Sequence, residues 1–206
     1  GKNQMDQIDK QIGWIRQLIE RQRDQSDPGE FLEDLKIDLF QDEVFVFTPK
    51  GDLIPLPKGS TPIDFAFAVH SEVGLHCIGA KVNGKIVPLH TELRSGELIE
   101  ILTSEHQSPS THWLEIVKSS KARNHIKRYF RNIEIEQSII LGKDLLEQEL
   151  RLVQLRKPFT DYSDDLAKMA AELTFENLDM MLSSIGRGNT SAQSIAQRLA
   201  QKNIAP

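Results

Sequence analysis

Six histidines (His70, His76, His90, His106, His112 and His125), one cysteine (Cys77) and a run of cations between residues 121 and 131 are the groups with most chemistry to offer in this 206-residue chain. The histidines are scattered. His70 and His76 are spaced to share a metal, but no carboxylate or thiol completes a ligand set beside them, so neither a metal nor a cofactor is expected. One cysteine excludes an internal disulfide and a Cys-rich zinc site. Cys77 opens an apolar stretch with no cation flanking it, which reads as a buried thiol and not a nucleophile. The chain has no phosphate loop of the Gly-rich type, no His-Glu-x-x-His helix and no Gly-x-Ser-x-Gly elbow. A binding or regulatory role is therefore expected ahead of self-contained catalysis.

The cations stand out against their background. The chain has a net charge of −5, yet residues 104–131 hold six positive and two negative side chains, net +4. Taken as one helix, residues 121–133 gather Ile126, Tyr129, Phe130 and Ile133 within about a third of the circumference. Lys121, Arg123, Lys127, Arg128 and Arg131 take the rest. One side can dock on a core while the other attracts a phosphate backbone. A solvated face, or one paired with the acidic N-terminal helices, is the equal alternative. His70 likewise has two readings. At the end of a helix its ring is favoured by the dipole. Exposed in a loop, it can stack on a base or donate to a phosphate or ribose oxygen.

The elements that must position these groups fall into three textures. In residues 1–40, Ile8, Ile12, Ile15, Leu18 and Ile19 and then Phe31, Leu32, Leu35 and Leu39 recur at helical spacing across a Ser26-Asp27-Pro28-Gly29 break. This segment reads as the helical tail of something larger upstream. Residues 41–104 change period. Val44-Phe45-Val46-Phe47 and residues 53–56 form a hairpin about Lys50-Gly51-Asp52. Thr61 caps a helix with Pro62 at its first position and Asp64 in its first turn, running on through Phe65, Ala66, Ala68 and Val69. Residues 78–82 and 85–87 make a hairpin about Asn83-Gly84, and residues 98–102 a last strand. The order β-β-α-β-β-β is the β-grasp layout, and the expected class is α+β. Residues 109–206 read as an all-α domain, divided by breakers at Gly142, Pro158 and Gly186-Arg187-Gly188-Asn189. Thr174-Phe175-Glu176-Asn177-Leu178-Asp179 and Asn189-Thr190-Ser191-Ala192-Gln193 are expected to cap two late helices. The apolar runs fall short of the ~18–20 residues of a membrane span, and no leader opens the chain. A cytoplasmic location and no membrane partner are expected.

Asp42-Glu43-Val44-Phe45-Val46-Phe47-Thr48-Pro49-Lys50-Gly51-Asp52, Leu56-Pro57-Lys58-Gly59-Ser60-Thr61-Pro62-Ile63-Asp64-Phe65-Ala66, His70-Ser71-Glu72-Val73-Gly74 and Ala80-Lys81-Val82-Asn83-Gly84-Lys85 together resemble a TGS domain. This module is shared by threonyl-tRNA synthetases, certain GTPases and the long RelA/SpoT enzymes. Glu30-Phe31-Leu32 with Leu35-Lys36-Ile37-Asp38-Leu39-Phe40, Trp113-Leu114-Glu115-Ile116-Val117-Lys118-Ser119-Ser120 and Gly186-Arg187-Gly188-Asn189-Thr190-Ser191 are similar to the segments flanking TGS in the last group. The resemblance implies a regulatory region whose catalytic domains lie upstream. The parent would be a GTP pyrophosphokinase making (p)ppGpp, with or without hydrolase activity, and this region itself would not be an enzyme. It implies deacylated tRNA and the ribosome with its RNA as partners, His70 at the tRNA 3′ end, and RNA as the ligand of Lys121, Arg123, Lys127, Arg128 and Arg131. Acyl carrier protein, docking on the same domain, is the alternative partner; the net charge of −3 over residues 40–103 argues against an acidic one. Many relatives carry His-Arg after the motif's glycine, where this chain has Leu75-His76.

Overall fold

The computed structural model describes residues 42–204; the helical segment expected over residues 1–40 lies outside the described residues. The chain divides into two compact units, with the division between Lys127 and Arg128.

In the first unit, β1 (Glu43–Phe47) and β2 (Leu53–Pro57) pair antiparallel from Glu43–Pro57 to Phe47–Leu53. Alternation sends Val44, Val46, Ile54 and Leu56 inward and leaves Phe45, Phe47 and Leu53 exposed. The turn between them closes through the Thr48 N–H to the Asp52 carbonyl at 2.9 Å, with Gly51 at φ +88°. β3 (Cys77–Val82) lies between β4 (Lys85–Val87) and β5 (Ile99–Thr103), antiparallel to both. Asn83 and Gly84, at φ 50° and 82°, make the primed two-residue turn their types favour. A parallel bridge between Phe47 and Leu98 joins the two small sheets, and the Phe47 N–H donates to the Glu97 carbonyl at 2.9 Å.

The helix α1 (Pro62–Val69) packs Phe65 on this sheet with Val46, Leu56, Leu93 and Ile99. Each large apolar side chain so buried contributes ~1.5–3 kcal/mol. The short helix α2 (Ser71–Leu75) follows at once. The expected α+β class and β-grasp order are what the unit has.

The chain then reaches α3 (Trp113–Ile116) and α4 (Ser120–Leu152), a helix of 33 residues. Residues 109–127, grouped by period with the helical region, belong to the first unit. The reason is long-range: Asp64 of α1 holds the start of α4, as described below.

The second unit takes α4 from Arg128, a 3₁₀ turn (Phe159–Tyr162), α5 (Ser163–Glu172), α6 (Leu178–Gly186) and α7 (Ala192–Ile204). Its core is apolar, with Leu146, Leu166, Met169, Met181 and Leu199 fully buried. Gly142 does not break α4, contrary to its reading as a divider. A Cβ there would overlap the Leu182 carbonyl oxygen, and one at Gly186 would overlap the Ser138 carbonyl oxygen. The two glycines let α4 and α6 touch backbone to backbone, which outweighs the roughly 1 kcal/mol that glycine costs inside a helix. Beside them the Ser138 and Ser183 hydroxyls share a hydrogen bond of 2.6 Å. The late caps are where expected: Asn177 Oδ1 accepts from the Met180 N–H at 2.9 Å, and Ser191 Oγ from the Ser194 N–H at 3.2 Å.

Candidate nucleic-acid interface

His70 ends one helix and begins the next. Its N–H donates to the Ala66 carbonyl at 3.1 Å, closing α1. Its extended backbone (φ −162°, ψ 146°) turns the chain, and its ring Nδ1 accepts the Glu72 N–H at 3.2 Å as the N-cap of α2. An Nδ1 that accepts leaves the proton of the neutral ring on Nε2. The residue is exposed. The corner thus offers an oriented Nε2–H donor at the surface.

Three contacts fix that corner. Phe67, fully buried, stacks on the His125 ring of α4 with centroids 5.7 Å apart and planes at 14°. Gly74 covers the same Phe67 ring so closely that a Cβ would overlap it. Lys121 reaches from α4 to the Ala68 carbonyl, Nζ to O 3.3 Å. A cation there meets the partial negative charge of the C-terminus of α1. Ala68 is two residues from His70, so the fold brings Lys121 to the histidine's corner.

The other anticipated cations divide by face. At about 100° per residue, Lys121, Arg128 and Arg131 lie within roughly 80° of one another, opposite Ala122 and Ile126. These three are exposed, while Arg123 and Lys127 flank the buried face and are half-buried. Of the anticipated apolar third, Ile126 is fully buried, while Tyr129, Phe130 and Ile133 are half-buried, with Tyr129 meeting Phe130 edge-on at 5.4 Å. Lys127 and Arg128 each have a partner. Arg123 and Arg131 form no ion pair among the described residues. Arg128 and Arg131 fall in the second unit and are placed here only as residues of α4.

At the opposite end of α1 from the corner lies a group whose reach was not legible in the sequence. Asp64, fully buried, accepts the Thr61 N–H at 2.9 Å, the Lys118 N–H at 3.0 Å, the Ser119 N–H at 2.8 Å and the Ser119 hydroxyl at 2.7 Å. Ser119 Oγ in turn accepts the Ala122 N–H at 3.2 Å, capping α4. One carboxylate therefore satisfies donors at the N-termini of two helices. The signal for it was the Lys118-Ser119-Ser120 cap sequence; its partner 55 residues away was not readable.

His76 is turned inward to structure. Its Nδ1–H donates to the Gln107 carbonyl at 2.9 Å, and Nε2 stands 3.4 Å from Glu72 Oε2. His76 thus anchors the loop after β5. Burial pushes the Cys77 thiol up to about 11, so it is not a thiolate at neutral pH. Among the described residues no group of three or more His, Cys, Asp or Glu side chains gathers to hold a metal, and no helix is long and apolar enough to cross a membrane.

Residues 44–103 match the TGS domain model, and residues 129–200 match the RelA/SpoT AH domain model. The chain is 47% identical over 199 residues to a GTP pyrophosphokinase of Myxococcus xanthus, covering 97% of this chain and 26% of that protein. It is 44% identical over 190 residues to the bifunctional (p)ppGpp synthase/hydrolase RelA of Mycobacterium tuberculosis, covering 91% of this chain and 26% of that protein. A guanosine-3′,5′-bis(diphosphate) 3′-pyrophosphohydrolase of Aquifex aeolicus is 43% identical over 189 residues, covering 92% of this chain and 26% of that protein. The chain spans about a quarter of the length of these curated relatives.

Proposed function

The chain belongs to the RelA/SpoT family, and from that premise we propose that it is the regulatory region of a (p)ppGpp synthetase, reading the uncharged 3′ end of tRNA on the ribosome. The parent's GTP pyrophosphokinase chemistry, with or without hydrolysis, would reside outside residues 42–204. The observation that carries the reading is the α1–α2 corner: an exposed imidazole with Nε2–H outward and the Lys121 ammonium two residues away on the Ala68 carbonyl.

The chemistry follows from those atoms. The His70 Nε2–H donates to a ribose hydroxyl or phosphate oxygen of the terminal adenosine. Lys121 supplies the charge that a nearby phosphodiester neutralises. An amino acid esterified to that ribose would occupy the space the corner needs, so charged tRNA is rejected by clash and not by weaker attraction. The exposed Arg128 and Arg131 hold the RNA backbone along α4. Binding at the corner is tied to α4 through Phe67–His125 and Asp64–Ser119, which gives a bound RNA a physical hold on the helix leading into the second unit.

The test is binding of deacylated against aminoacylated tRNA, measured in the full-length parent on ribosomes. Deacylated tRNA is expected to bind more tightly and His70→Ala to abolish the difference. Equal affinity of the unmodified protein for both forms would refute the sensing role.

A further inference from the structure

A concavity remains in the second unit that the RNA reading does not use. It lies where α4 ends and the chain turns back towards the 3₁₀ segment, and it encloses about 250 Å³. Arg151, Arg156 and Lys157 line it, with Glu147 the one carboxylate, over an apolar wall that includes Leu150 and Phe159. Arg151 is charge-paired with Glu147, which leaves Arg156 and Lys157 as the cations without an acidic partner among the described residues. Arg156 Nη2 donates to the Gln154 amide oxygen at 2.8 Å, which is an uncharged partner. Arg151 Nη2 stands 3.7 Å from Glu147 Oε2, beyond hydrogen-bond length. The Lys157 backbone N–H is fixed by the Tyr162 hydroxyl at 3.2 Å, which orients the turn, and its ammonium forms no ion pair among the described residues. Phe159 is itself held from outside the lining by the Lys143 ammonium, 5.2 Å above its ring.

We propose that this cavity binds a small phosphate monoester on a hydroxylated skeleton, a sugar phosphate or nucleoside monophosphate. Two arginines and a lysine line the cavity against the single carboxylate of Glu147, and the net charge of +2 suits a dianionic phosphate. Glu147 accepts from a ligand hydroxyl, which a bare inorganic anion does not provide. Leu150 and Phe159 give the carbon skeleton an apolar wall. Volume sets the upper size, because pockets for drug-sized ligands run about 300–1,000 Å³ and this one is smaller. The inference is independent of the RNA reading, since none of these residues belongs to the His70 corner or to the cationic turns of α4.

Calorimetric titration of the full chain tests it, with ribose 5-phosphate and GMP as probes and ribose, inorganic phosphate and a short single-stranded RNA as comparisons. Ribose 5-phosphate or GMP is expected to bind more tightly than inorganic phosphate, and ribose not at all. The Arg151→Gln/Arg156→Gln double variant is expected to lower the probe's affinity at least about tenfold, the loss of one charge-assisted hydrogen bond or more. Glu147→Gln is expected to weaken ribose 5-phosphate more than inorganic phosphate. Both variants are at solvent-accessible positions, and unchanged circular dichroism checks their folding. No phosphate-dependent binding, or binding unaltered in the double variant, overturns the proposal. So does RNA binding lost in the double variant with no uptake of either probe, which would assign these cations to a nucleic-acid surface instead.

Discussion

In the first unit, α1 meets the start of α4 through one buried carboxylate that takes directed donors from Thr61, Lys118 and Ser119. In the second, α4 meets α6 through two glycines that let backbones touch, with an apolar cluster around them. The first junction is angular: a carboxylate oxygen rewards only certain positions of its donors. The second is steric: it rewards closeness and excludes bulk. The difference suits what each carries. A surface histidine with a set ring orientation needs a support that resists rotation, whereas a helical bundle needs only that its faces close without voids.

Removing the directional junction is expected to have the largest effect. Asp64→Ala leaves several buried N–H groups without acceptors, each costing ~1–3 kcal/mol, for a total loss of about 4 kcal/mol. Urea unfolding measures it, and amide exchange at Lys118 and Ser119 localises it. A loss below about 1 kcal/mol would erase the contrast between the two units.

Gly142→Ala probes the steric junction. Overpacking against a backbone carbonyl costs about 1–3 kcal/mol, set against a helix-propensity gain of roughly 1. A net loss of up to about 2 kcal/mol is expected, with Gly186→Ala similar. Ser183→Ala should cost less than Ser138→Ala, because the Ser138 hydroxyl keeps its hydrogen bond to the Ile135 carbonyl, whereas Ser183 loses its partner when Ser138 is removed. A stabilised Gly142→Ala protein would show that the helices can part freely.

His70→Ala sharpens the comparison from the other side. It removes an exposed ring and one N-cap hydrogen bond, so stability should fall by no more than about 1 kcal/mol while discrimination by tRNA charging is lost. A larger fall in stability would make His70 part of the support and not of the interface. Arg128→Gln/Arg131→Gln should lower stability by no more than about 1 kcal/mol, the partner of Arg128 being lost at an exposed position. It should flatten the dependence of log affinity for RNA on log salt by about 1.5, at roughly 0.7–0.9 per phosphate contact.

The smallest effect belongs to the exposed clamp between α5 and α7. The hydrogen bond from Lys202, at 2.7 Å, and the nearby charge of Arg198 hold Glu172 below the usual 4.5. A carboxylate with a lowered value in the folded state contributes stability above the unfolded value and loses it as pH falls through the folded one. Glu172→Gln should therefore lower the melting temperature slightly at neutral pH. The difference from the parent chain should vanish as pH drops below 4.5, and shrink in high salt.

Elements whose causes lie within a few residues were legible along the chain. Asn83-Gly84 specified its turn, Thr61-Pro62 its helix start, and the spacing about Ile126 the side of α4 on which that residue is buried. The cation run and the surface histidine were legible as residue types. That Lys121 belongs with His70 was not, because they are 51 residues apart in sequence and meet only through the Ala68 carbonyl. Nor was Gly142: as a residue type it signals a break, and its role emerges only once Leu182 lies across it. Asp64 shows the same split in one side chain. Its place in the first turn of α1 is local chemistry, while its hold on Ser119 needs the sheet, α1 and α4 already packed. Propensity and capping act over about four residues, whereas a buried carboxylate or a backbone contact takes its meaning from whatever the rest of the chain brings against it.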